Sequence, residues 1–61
     1  MKYVRSTFRI QFPSLGMTVM FSELKDGRFT RTYHKDMTPH HDYISRMDYI
    51  YALVYYNGLS I

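Results

Sequence analysis

The sequence predicts an α+β domain, with a three-stranded antiparallel β-meander packed against one C-terminal α-helix in the order β-β-β-α. Three observations predict it. Apolar and polar residues alternate from Tyr3 to Phe12. Two further strand-like runs are separated by Lys25-Asp26-Gly27. A segment opened by Thr38-Pro39 and closed by Asn57-Gly58 carries apolar residues at spacings of three and four.

The first strand, about 3–12, places Val4, Ser6, Phe8, Ile10 and Phe12 on one side and Tyr3, Arg5, Thr7, Arg9 and Gln11 on the other. That period of two is the signature of a half-buried strand. It ends at Pro13-Ser14-Leu15-Gly16, where proline and glycine both interrupt regular structure. The second strand, about 17–24, and the third, about 28–35, form a hairpin with two available registers. A two-residue Asp-Gly turn would set Lys25 against Arg28, two cations side by side. A three-residue loop would use Gly27 in the left-handed region and pair Leu24 with Arg28. The second is preferred, because it gathers Met17, Val19, Phe21, Phe29 and Tyr33 on one face, with Arg31 the lone charge.

The helix is expected over about 39–57. Thr38 suits the N-cap and Pro39 the first helical position. Asp42 sits where a negative charge meets the positive end of the dipole and can pair with Arg46 one turn on. Gly58 suits the stop. Tyr43, Ile44, Met47, Ile50, Tyr51 and Val54 then form the face turned to the sheet.

The chain has 61 residues, so residues 1–61 are read as a single domain with one core. A domain of this size buries only about 60% of the surface its unfolded chain exposes. Such domains often rely on a disulfide, a metal or a second copy. With no cysteine, disulfides and thiolate zinc sites are excluded. Eleven aromatic residues, seven Tyr and four Phe, make the chain too apolar to be disordered. Residues 1–35 hold seven basic residues against two acids, a net of +5, and residues 36–61 a net of −2. No export signal follows Lys2 and Arg5, and the apolar run from Tyr49 to Tyr56 is too short to span a bilayer. A cytoplasmic location is the expectation, with no membrane partner: a surface helix would need Lys or Arg on its polar side, and this one has only Arg46.

Three surfaces are left once the core is assigned. Tyr49, Leu53 and Tyr56, with Ala52 beside them, form a second apolar stripe nearly opposite Met47 and Val54. One small sheet cannot bury both sides of a helix, so this stripe is the expected interface with another protein, either a host protein or a second copy in a homodimer. Adding a strand at a sheet edge is a second way to hold a partner. The outward sheet face offers Tyr3, Arg5, Arg9, Arg28 and Lys35, the residues that would contact phosphates if the chain bound nucleic acid. His34, His40 and His41 lie within eight residues and are weak metal candidates. Adjacent His40 and His41 diverge by about 100° on a helix, and no metal motif accompanies them. No metal or other cofactor is expected.

Catalysis is not expected either. No cysteine nucleophile exists, and Ser6, Ser14, Ser22, Ser45 and Ser60 lack any activating motif. The three glycines form no phosphate loop. The reading is therefore a small, basic, non-enzymatic protein of adaptor or inhibitor type, comparable in size to accessory proteins of phages and mobile elements. A nucleic-acid-binding module working through the sheet is the alternative.

Overall fold

The computed structural model of the chain describes residues 3–59. Lys2 and Ser60 lie outside them. The expected class is correct, but the sheet has four strands rather than three. They are β1 (Val4–Phe12), β2 (Met17–Leu24), β3 (Phe29–Lys35) and β4 (Thr38–Ile44), antiparallel in the order β1-β2-β3-β4. The helix, α1 (Arg46–Leu59), follows.

A single 3₁₀ turn, Pro13–Leu15, joins β1 to β2. Gly16 closes it at φ 62°, donating its N–H to the Pro13 carbonyl at 3.1 Å. The β2–β3 hairpin has the three-residue register. Gly27 adopts φ 92° and donates to the Leu24 carbonyl at 3.0 Å, while the Leu24 N–H donates to Arg28 at 2.8 Å. Lys25 and Arg28 are thereby kept from facing each other.

The segment 38–44 is the main correction. Asp36 and Met37 both have positive φ, 52° and 66°, and Lys35 pairs with Thr38. Two successive positive values are the mark of a two-residue hairpin turn whose twist matches the flanking strands. The chain therefore reverses where a helix start was expected. Pro39 is accommodated because β4 is an edge strand, where a residue without an N–H is tolerated. The helix is capped at Ser45 instead. The Ser45 hydroxyl accepts the Asp48 N–H at 3.1 Å, and the Ser45 carbonyl accepts the Tyr49 N–H at 3.1 Å. Ser45 and Asp48 thus have the spacing of a capping box, with an acid in the first turn.

A second correction concerns β1. Val4 pairs with Leu24 but Ser6 pairs with Glu23, so a bulge lies between them. The extra residue moves Val4 off the face carrying Ser6, Phe8 and Ile10.

The core lies between sheet and helix. Phe8, Ile10, Val19, Phe21 and Tyr49 are buried, with Phe12, Met17, Phe29, Tyr33, Ile44, Ala52 and Leu53 packed against them. Phe8 stacks on Phe21 across the β1–β2 pair at 5.3 Å between centroids. The helix lies along β1. Tyr49 meets Phe8 at 5.5 Å and Phe29 at 4.6 Å, Tyr56 meets Phe8 at 4.9 Å, and Tyr55 stacks on Phe12 at 6.1 Å. Farther from it, the same sheet face is filled by polar pairs. Arg31 donates to Asp42 at 2.9 Å, and Tyr33 stacks on His40 at 5.0 Å. Asp42 therefore pairs across the sheet, not with Arg46 along a helix.

Candidate functional site

The helix is turned the opposite way from the sequence expectation. Tyr49 is 5% exposed and its hydroxyl lies 3.2 Å from that of Ser6. Ala52 and Leu53 pack on the core, and Tyr56 covers Phe8. The four residues assigned to an interface are the ones that hold the helix to the sheet. The physical reason lies in the new helix start. With Tyr43 and Ile44 in β4, they no longer belong to the helix, which starts after the single linking residue Ser45. The sheet then takes the face whose aromatic side chain finds both a flat apolar bed and a polar partner for its hydroxyl.

The surface left over is the face expected to be core. Met47 is 63% exposed, Tyr51 71% and Val54 65%, with Ile50 between them. They fall at i, i+3, i+4 and i+7, one continuous stripe of the helix. Burying a side chain of this size is favourable by about 1.5–3 kcal/mol. Sequence reasoning found these residues but assigned them to the wrong side. The signal that could have corrected it was Ser45-Arg46-Met47-Asp48, a better helix opening than Thr38-Pro39.

The outer face of the sheet has no helix on it. Register places Arg9, Met20, Thr32 and His41 in one row across the four strands, and Thr7, Ser22, Thr30 and Tyr43 in the next. The Thr7 hydroxyl lies 3.1 Å from that of Ser22 and donates to the Phe21 carbonyl at 3.0 Å, which satisfies the one buried polar residue there. Arg28 is engaged locally. It forms an ion pair with Asp26 at 2.7 Å, donates to the Tyr43 hydroxyl at 2.9 Å and lies 4.9 Å from the Tyr43 ring centroid. Hydrogen bonding from Arg28 holds the Asp26 carboxyl below its ordinary value, and Asp26 raises the guanidinium in turn.

The five phosphate-contact candidates are dispersed. Arg9 is on the open face, beside Thr18, Met20, Thr32 and His34 in a depression of about 270 Å³. Arg28 is tied to Asp26. Arg5 lies at the β1 bulge and Lys35 at the β3–β4 turn, both exposed. Tyr3 is exposed beside the β2–β3 loop, its carbonyl accepting the Lys25 N–H at 2.7 Å.

The histidines are split between faces. His40 stacks on Tyr33 on the helix side, whereas His41 Nδ1 lies 3.2 Å from the Thr32 hydroxyl on the outer side. The divergence is that of successive strand residues rather than of a helical turn. Among the described residues no group of three His, Cys, Asp or Glu could hold a metal ion. No helix there is long and apolar enough to cross a membrane. Comparison with protein-family models, curated proteins and solved structures found no match.

Proposed function

We propose that the chain is a small, non-enzymatic binding protein that docks another protein chain on the outward stripe of α1. One observation carries the reading. Met47, Ile50, Tyr51 and Val54 stand exposed at helical spacing, with no charged residue among those four positions. A contiguous apolar patch on a domain of this size favours contact over hydration. Tyr51 adds a large apolar body with a polar tip, the kind of side chain that dominates interfaces.

The occupant the stripe fits most simply is a second copy. A two-fold axis beside α1 brings the same four residues together from both chains, the usual arrangement of a homodimer. It also supplies the additional burial that a short, cysteine-free domain lacks. Light scattering on the wild type and on Val54→Lys tests this. A dimer that the substitution converts to a folded monomer supports the reading. A wild-type chain that stays monomeric at high concentration overturns the homodimer.

A further inference from the structure

We propose that the outer face of the sheet binds single-stranded nucleic acid, with the depression at Arg9, Thr18, Thr32 and His34 seating a backbone phosphate. This surface is on the far side of the sheet from α1, so the proposal stands apart from the docking stripe.

Charge complementarity carries it. The register assigns each paired strand residue to one face or the other, and no carboxylate of a strand falls on the outer one. Glu23 pairs opposite Phe29 and Asp42 opposite Arg31, both on the helix side. Asp26 and Asp36 belong to turns, and Asp48 to the helix. The outer face carries Arg9, His34 and His41 among Thr7, Thr18, Ser22, Thr30 and Thr32, with Val4, Met20 and Leu24 its aliphatic members.

Arg31 is paired with Asp42 and Arg28 with Asp26, while Arg5 and Lys35 lie at the bulge and the turn, away from the depression. Arg9 has no ion pair among the described residues. It opens instead onto the depression, where two threonines and an imidazole converge with it. A guanidinium with neighbouring hydroxyls is a donor set suited to phosphate oxygens.

The face also presents planar groups. His34 and His41 are exposed, and Tyr43 is 67% exposed with the Arg28 guanidinium over one side of its ring. Flat rings on an open sheet can stack on bases, but only on bases released from a duplex. An open sheet face with hydroxyls and rings therefore fits an unpaired strand laid across β1–β4 better than it fits a groove.

The test is fluorescence anisotropy with a labelled mixed-sequence DNA oligonucleotide of about 12 nucleotides, and with its duplex. The single strand should bind at low salt. With contacts to about two phosphates, affinity should fall about sevenfold between about 50 and 200 mM salt. Arg9→Glu should weaken binding by about tenfold. Arg9→Gln should weaken it less, but more than Asn57→Asp, which changes net charge equally on the helix. Circular dichroism of each variant reports that it is folded. No binding at low salt, a preference for the duplex, or equal effects of Arg9→Gln and Asn57→Asp would each overturn the proposal.

Discussion

The hydroxyl of Tyr49 lies 3.2 Å from the hydroxyl of Ser6, joining the first turn of the helix to the start of the first strand. Around that contact the Tyr49 ring is packed between Phe8 and Phe29. The hydroxyl pair and the ring make separable contributions. Tyr49→Phe should cost only about 0.5–1.5 kcal/mol, because it removes one neutral hydrogen bond beside a strand residue that water can reach. Tyr49→Ala should cost about 3–5 kcal/mol, a large part of what so short a domain has. Urea unfolding followed by circular dichroism distinguishes the two.

The helix orientation has a direct test in two adjacent residues. Leu53 packs on the core and Val54 is 65% exposed. Leu53→Asp should lose about 3 kcal/mol or more through lost packing and a charge against the sheet. Val54→Lys should change monomer stability by less than about 0.5 kcal/mol. Thermal melts in the reverse order would mean that the helix presents the other face.

The β3–β4 turn stores removable strain. Met37 has φ 66° and is 95% exposed, so its side chain contributes no packing. Met37→Gly should stabilise the fold by about 1 kcal/mol, since glycine carries no penalty in that region. For a domain of this length that corresponds to a rise in melting temperature of about 4–8 °C. A fall in melting temperature would contradict the turn geometry.

Acid should weaken one surface contact. The Asp26 carboxyl is held below its ordinary value by hydrogen bonds from Arg28. A depressed folded value means that the contribution is complete above the unfolded value, near pH 4, and is lost as pH falls through the lower folded one. The stability difference between wild type and Asp26→Asn should therefore be small, flat at neutral pH, and shrink below about pH 4. Urea midpoints over a pH series measure it. A difference that widens in acid would argue against the pair.

The first three strands were legible because each signal was local. Alternation in Val4–Phe12 and Gly27 in its loop both act over a few residues. Even there the bulge between Val4 and Ser6 left no mark, since Val4 alternates correctly in the sequence. The fourth strand was hidden by two residues with double meanings. Thr38-Pro39 reads equally as a helix opening or as the start of an edge strand, and Met37 is an unusual occupant of a left-handed turn. The helix itself was visible but its facing was not. Both of its sides are apolar, and the partners of the side bearing Tyr49, namely Ser6, Phe8 and Phe29, lie twenty or more residues earlier in the chain. The stripe proposed for docking was assigned to the opposite side of the helix by that inversion. Arg9 was identified but grouped with Arg28, whose partner Asp26 becomes apparent only in three dimensions.

The strand order follows the chain order, and this shapes how the molecule assembles. Each strand pairs with its immediate predecessor, so the sheet can grow by closing short loops one after another, a topology that favours fast folding. Only α1 breaks the pattern, returning from the end of the chain to lie along β1 at its beginning. That return closes the largest loop in the molecule, the costliest to close before the strands are in place. Contacts made so late should govern how slowly the domain unfolds more than how quickly it folds. Tyr49 and Leu53, by this account, act as a latch on a sheet that has already formed.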